Sequence, residues 1–345
     1  MQSEHSLVSP QKKIRLRDIQ KVVIDDIRAF RHYYKTYLHS GVFVIDQVTS
    51  YLVRSRGKGL RPMLTLLSAR ACGVKGTLPE RTLTGAIVVE LLHTASLVHD
   101  DVVDRADERR GRPTLNLVFN NKVAVLFGDF MLSRSLAGMF SQRSFEVLDL
   151  FSDSSTRLAR GELVEAIGAR RLDLDKSAYF QMVSDKTASL ISAACQMGSL
   201  SLGLGREFTE PLKKYGELMG IAFQIRDDLL DFGDGGPRLG KPVGLDLGQA
   251  KMTLPLIHAL EQVSYPMKRQ ILAKLRRAKR AGKKGKKFAL TEVIELIHKK
   301  GGIEFARQVA RDYAEKAVEA LKQLPMSEYR EKLEHFAYFA AERDR

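Results

Sequence analysis

Residues 92–114 read LHTASLVHDDVVDRADERRGRPT. Up to Val103 the apolar residues follow the spacing of a helix with one face against a core. On such a helix Asp100 and Asp104 stand four apart and share a face. Two carboxylates one turn apart repel each other, so the pair calls for a cation. Residues 222–232, AFQIRDDLLDF, repeat the arrangement: Asp227 and Asp231 are four apart, Asp228 is adjacent, and Gln224 precedes Asp227 by three on the same face. Two acidic faces, each on an apolar helix, offer only oxygen ligands. Mg²⁺ prefers octahedral oxygen coordination and keeps waters or substrate phosphates in its shell. The pattern therefore describes a magnesium cage completed by a diphosphate, with Asp100, Asp104, Asp227 and Asp231 as the expected metal ligands.

A diphosphate needs positive charge beyond the metal. Arg109, Arg110 and Arg112 follow the first cluster in ERRGRPT, and Lys58 and Arg61 stand in RGKGLRP. Lys186 and Thr187 adjoin in SDKTAS, and Lys241 and Lys251 stand at either end of KPVGLDLGQAK. Alone, each base is an ordinary surface residue. Beside two acidic clusters they read as phosphate clamps, with arginine giving bidentate contacts.

The rest of the chain supports a helical fold. It has 345 residues, 44% hydrophobic and 28% charged, which is globular composition and excludes a disordered or collagen-like chain. Ten scattered prolines favour long helices over many short strands. Helical periodicity covers 14–38, 60–71, 83–104, 122–139, 145–169, 179–202, 210–231 and 305–324, and no stretch makes a case for a sheet. With no linker and no short repeat, the expectation is one all-α domain over 16–345, after a flexible segment 1–15. The uncharged run 187–205, TASLISAACQMGSLSLGLG, is rich in Ser and Gly and reads as a buried, closely packed helix rather than a membrane span. Two cysteines 123 positions apart (195 − 72) argue against a zinc site or a disulfide framework and fit a reducing compartment. No apolar stretch follows the basic residues near the N-terminus, so a cytoplasmic location is expected. The net charge of +15 is local: residues 262–291 hold eleven Lys/Arg and no acid, leaving 15 − 11 = +4 elsewhere. A basic loop is expected at 278–287, solvated or touching an anionic membrane surface. Nucleic acid is not expected, because the run has no interleaved aromatics to stack bases.

GKGLRP, LLHTASLVHDDVVDRADERRGRPTLN, SDKTASL, FQIRDDLLD and GKPVGLDLGQAKMTLPL, in this order and spacing from about Lys58 to Leu256, resemble the trans-polyprenyl diphosphate synthases. The closing YFAAERDR is also similar to the family. The resemblance is to its long-chain type, such as heptaprenyl and octaprenyl diphosphate synthases. It implies a single barrel-like bundle of long helices around a central cavity, usually as a homodimer. It implies a Mg²⁺-dependent prenyltransferase, with two or three ions per active site, joining an allylic prenyl diphosphate head-to-tail to isopentenyl diphosphate. The leaving diphosphate is taken to accept the proton lost at the end. Carried over, Asp100, Asp104, Asp227 and Asp231 hold the metal with Asp101 and Asp228 beside them. Arg109, Lys186, Thr187, Gln224, Lys241 and Lys251 bind the allylic diphosphate, and Lys58, Arg61, His93 and Arg110 bind isopentenyl diphosphate. Of these, Arg109 and Lys186 join the aspartates as the expected catalytic residues.

Product length is expected from the turn before Asp100. A helix climbs ~5.4 Å per turn, similar to one isoprene unit, so the tail of a product of about C30–C50 would pass that turn. Short-chain members place aromatic residues there, whereas this chain has Ala95 and Ser96, and a floor is sought deeper, among Leu91, Leu92, Phe130, Met131 and Leu132. The resemblance implies that such a product serves as a quinone side-chain precursor. The alternatives are a short-chain farnesyl or geranylgeranyl diphosphate synthase, a terpene cyclase with a less acidic second motif, and a non-catalytic partner subunit, which tends to lose the Asp clusters. One departure is visible: the family often has Gly before the last lysine, and Ala250 stands before Lys251.

Overall fold

The computed structural model describes residues 14–54, 57–233, 244–280 and 283–344. The chain opens with α1 (Leu16–Gln20), a 3₁₀ turn, α2 (Ile24–Leu38), α3 (Phe43–Arg54), α4 (Leu60–Ala71) and α5 (Glu80–Val103). A two-residue hairpin, β1 (Glu108–Arg109) and β2 (Arg112–Pro113), leads to α6 (Leu115–Phe119), α7 (Asn121–Ser141) and α8 (Phe145–Arg171). Next come α9 (Lys176–Val183), a π turn (Ser184–Ala188), α10 (Ser189–Leu200) and α11 (Arg206–Asp231). The chain closes with α12 (Leu245–Gly248), α13 (Leu254–Glu261), α14 (Tyr265–Arg280), α15 (Lys283–Lys299), α16 (Gly302–Leu321) and α17 (Glu328–Glu342). The all-α expectation holds, with α4 on its predicted bounds.

α10 is the hub, packed by α4, α5, α8 and α11, and α16 and α17 cover the far side of α11. Every residue from Ser189 to Ser199 is buried, as the small-residue run predicts. Its hydroxyls find partners: Ser192 donates to the Lys213 carbonyl at 2.9 Å, and the Ala194 carbonyl accepts from Thr65 at 2.9 Å. Such bonds avoid the cost of burying an unpaired hydroxyl.

Three expectations change. The motif RRGRP pairs as a hairpin, Glu108 opposite Pro113 and Arg109 opposite Arg112. Arg110 and Gly111 both take positive φ, 56° and 78°, the signature of a type I′ turn. The basic segment 278–287, expected as a loop, is helical up to Arg280 and again from Lys283, with 281 and 282 outside the described residues. The reason is amphipathicity: Ile271, Leu275 and Ala278 of α14 are buried while Lys268, Arg269, Arg276, Arg277 and Lys279 face out. Arg276 and Lys279 donate to the Arg171 and Ala169 carbonyls at 3.2 and 3.4 Å, capping the negative end of α8. Third, α3, α6, α12, α13, α14, α15 and α17 form where no helix was predicted. The segment 1–13 lies outside the described residues.

α5 and α7 are long and apolar enough to cross a membrane by length and composition. The apolar stretch of α5 is 67% buried inside the fold. That of α7 is 39% buried, and Val125, Leu126, Leu132, Leu136 and Phe140 remain exposed on it.

Candidate active site

A cavity of about 840 Å³ opens between α5, α8, α11, the π turn, the 57–61 segment and the hairpin. Of the predicted site residues, Lys58, Arg61, His93, Ser96, Asp100, Asp104, Arg109, Arg110, Lys186, Thr187, Gln224, Asp227 and Lys251 line it. Lys241 lies outside the described residues. Asp231 is not brought to the cavity: α12 folds back under the end of α11, and its Asp246 N–H donates to the Asp231 carboxylate at 3.0 Å. Ala95 also sits off the cavity, 2% exposed in the core, because five residues from Asp100 is well around the helix; Ser96, four away, faces in.

The adjacent aspartates divide the work. Asp101 is buried and accepts from Arg109 Nε at 2.8 Å, tying the hairpin to α5. Asp228 is buried and accepts from the Tyr179 hydroxyl at 2.7 Å and the Gln224 amide at 3.0 Å. Gln224 in turn accepts from Thr187 at 2.7 Å, which links α11 to the π turn. Asp101 and Asp228 thus anchor structure, Asp101 at the cavity wall, while Asp100 and Asp227 line the cavity.

The cations form two groups. Burial, with Arg110 beside it, lowers the Arg61 guanidinium to about 10. Burial and then Arg61, Arg110 and Arg109 push His93 well below its ordinary value, so it is a neutral imidazole able to donate one N–H. Gly57 lets Arg110 lie on the backbone: a Cβ there would sit 2.4 Å from its guanidinium. The second group gathers around α8. Lys186 reaches Glu162 at 2.8 Å and Glu165 at 2.5 Å, and Lys251 reaches Asp246 at 3.5 Å and Glu165 at 3.8 Å. Ala250, where the family often has Gly, takes φ 63°. The strain of about 1 kcal/mol is offset by burying its methyl group, worth about 0.8 kcal/mol.

Sequence reasoning missed several residues. Glu162 and Glu165 stand three apart on α8 in RGELVEA, a spacing that signals a shared face. Arg343, in the closing YFAAERDR, pairs with Asp227 at 2.7 Å and stacks over Phe223, its guanidinium carbon 3.6 Å from the ring centroid. Nothing in local spacing points from Arg343 to Asp227.

The donors facing the cavity fit a hard divalent cation, being all oxygen. Among the described residues no three His, Cys, Asp or Glu side chains stand close enough to hold a metal by themselves. The acids are nonetheless short of positive charge: burial, then Glu162, pushes the Asp100 carboxyl up to about 6, against the pull of Lys186 and Arg109. Burial, then Asp246, pushes Asp228 up to about 7.

An all-α bundle with acids and bases of this kind on one cavity suits a protein that binds diphosphate esters. The polyprenyl synthetase family model matches residues 43–294. Octaprenyl diphosphate synthase of Escherichia coli is 37% identical over 96% of the chain and 99% of its own length. Polyprenyl synthase of Caulobacter crescentus, solved with calcium and isoprenyl diphosphate, superposes with a TM-score of 0.87 at 31% identity, covering 97% of this chain and 100% of that one. A decaprenyl diphosphate synthase of Rhodobacter capsulatus gives 0.87 at 33%, covering 95% and 99%. The chain belongs to the polyprenyl synthetase family, the trans-prenyltransferases that make polyprenyl diphosphates.

The raised Asp100 carboxyl has a stability consequence. Its charged form is disfavoured in the fold, so the cost to stability is full above about pH 6 and fades as the pH falls from there towards the ordinary carboxyl value of 3.8. Asp100→Asn should therefore stabilise the protein in chelator at pH 7.5 by about 1–2 kcal/mol, and the gain should close as the pH is lowered towards 4. Denaturant unfolding at the two pH values measures this; an equal or less stable variant at pH 7.5 contradicts it.

Proposed function

We propose that this cavity joins an allylic prenyl diphosphate to isopentenyl diphosphate and repeats the step to give a long all-trans chain, about C30–C50. The observation that carries this is the pair of separate cation groups on one cavity that also holds both acidic faces. Lys58, Arg61, His93 and Arg110 would take isopentenyl diphosphate. Lys186, Thr187, Gln224 and Lys251, with Arg109 between the groups, would take the allylic diphosphate.

Asp100, Asp104 and Asp227 would hold two or three Mg²⁺ ions, which when bound supply Lewis-acid charge to the departing diphosphate. Arg109, Lys186 and Lys251 stabilise the negative charge that develops on its oxygens as the allylic bond breaks. Leu97, Val98, Leu158, Phe223 and Phe339 line the same cavity and exclude the water that would quench the allylic cation. No lining side chain stands out as the base for the final proton, which the departed diphosphate would accept.

The long product is supported by the names of the relatives and by Ser96, a small residue on the cavity wall one turn before Asp100. Assay with radiolabelled isopentenyl diphosphate in excess should give chains beyond geranylgeranyl length. Ser96→Phe should shorten them to farnesyl or geranylgeranyl length while condensation continues, and Ala95→Phe should do so less, acting from behind the wall. An unmodified enzyme that already stops at geranylgeranyl length overturns the long-chain reading and leaves the coupling chemistry standing.

A second copy of the chain would cover the exposed apolar side of α7, where Leu126 and Phe140 are 57% and 59% exposed. Sedimentation velocity should show a dimer at micromolar concentration, and a monomer there rejects it. The cationic face of α14, next to exposed Tyr265 and Met267, suits an anionic membrane surface that would receive a poorly soluble product. Co-sedimentation with phosphatidylglycerol vesicles should be lost on charge reversal at Lys268, Arg269, Arg276 and Arg277. Binding that survives all four reversals refutes the contact.

A further inference from the structure

Lys186 and Thr187 leave from a π turn, Ser184–Ala188, and that turn is held from behind by a residue outside the cavity. Asp185 is 1% exposed and accepts from Arg160 Nε at 2.7 Å and Arg160 Nη2 at 2.8 Å, from Arg157 Nε at 3.1 Å and from Gln181 at 3.2 Å. Arg157 is itself fixed by Glu217 at 2.6 Å.

A π turn closes i→i+5 bonds and disturbs the regular ladder, and such turns recur at functional sites. Here side chains support the disturbed backbone. The Ser184 carbonyl accepts from the Ser189 N–H and from Arg157 at 3.1 Å, and the Asp185 carbonyl accepts from the Ser189 hydroxyl at 2.5 Å. The turn sends neighbouring residues to different walls: Lys186 to the glutamates of α8, Thr187 to Gln224 of α11. It is also gripped at backbone distance. A Cβ at Gly161 of α8 would lie 2.4 Å from the Lys186 nitrogen, and one at Gly220 of α11 would lie 2.5 Å from the Ala188 Cα. Those contacts set how near the turn lies. The Asp185 clamp adds a directional tether to α8, the helix that carries the glutamates facing Lys186.

We propose that Asp185, clamped by Arg157 and Arg160, is a positioning residue that fixes the presentation of Lys186 and Thr187 to the allylic diphosphate. This rests on the assignment of Lys186 to that substrate. It predicts a selective defect, because the cations around Arg61 hang from other elements.

The test is steady-state kinetics of the full chain with magnesium, varying each substrate in turn. Asp185→Asn and Arg160→Ala should each raise KM for the allylic diphosphate roughly tenfold, the scale of one charge-assisted hydrogen bond, with KM for isopentenyl diphosphate within about twofold of the parent. Arg160 has a side chain 55% exposed and Asp185 keeps its bond to Arg157, so the Arg160→Ala variant should fold with a lowered thermal midpoint and decides the matter if Asp185→Asn fails to fold. In a cycle with Lys186→Ala, the Asp185→Asn/Lys186→Ala double variant should be no worse than Lys186→Ala alone. Additive losses, equal losses for both substrates, or unchanged KM in the foldable single variants overturn the positioning role while leaving the substrate assignment in place. If Lys186→Ala itself leaves the allylic KM unchanged, the assignment fails and the inference goes with it.

Discussion

Negative charge gathered on one cavity is the constraint that organises this molecule. Asp100, Asp104 and Asp227 share one cavity with Glu162. Burial disfavours the ionised form of Asp100, and neighbouring Glu162 adds to the effect. The fold answers with cations brought from distant parts of the sequence: Arg109 from the hairpin, Lys186 from the π turn, Lys251 from the start of the 251–253 segment, and Arg343 from the C-terminal end. The hairpin places Arg110 at a left-handed φ that costs roughly 1 kcal/mol, and its gain is two guanidiniums over the cavity.

Bringing those elements together requires helices that nearly touch. The glycines of α8 and α11 that face the π turn, and Gly198 of α10, whose Cβ would lie 2.6 Å from Ser68 of α4, allow backbone-to-backbone approach. Close packing also makes a rigid site, because a densely filled interior deforms little. Preorganised charges stabilise a developing anion without reorganising at the moment of reaction, and that depends on such rigidity.

How much of this was legible follows from which interactions are local. The i,i+4 aspartates and the helices carrying them were readable, because periodicity and spacing are properties of one segment. The split between Asp100 and Asp101 was only half readable: the sequence shows two acids, and the Asp101–Arg109 pair exists because the hairpin turns back onto α5. That hairpin had a signal in its RG turn, hidden by strands too short to show alternation. The burial of Asp231 depends on α12 returning beneath α11, and the Arg343–Asp227 pair joins residues 116 apart (343 − 227), so neither has a local trace. α14 escaped notice because its outward face is so uniformly basic that it reads as a loop, and only the buried stripe Ile271, Leu275 and Ala278 reveals the helix.

On the proposed assignment, the Arg343–Asp227 and Lys186–glutamate pairs would make metal and diphosphate bind as one unit. Metal held at Asp227 would displace Arg343 from its partner, and a diphosphate at Lys186 would draw that ammonium from Glu162 and Glu165. Breaking one side of a partly buried pair leaves a charge without its partner. Metal alone would leave Arg343 seeking an anion, and diphosphate alone would leave Glu162 beside Asp100 without its ammonium. With both bound, the displaced arginine would meet phosphate oxygens and the acids would meet the dication. On that assignment each ligand would raise the affinity for the other, and by linkage the two enhancements would be equal. Repulsion among the carboxylates would thus become selectivity for a magnesium diphosphate over either component alone.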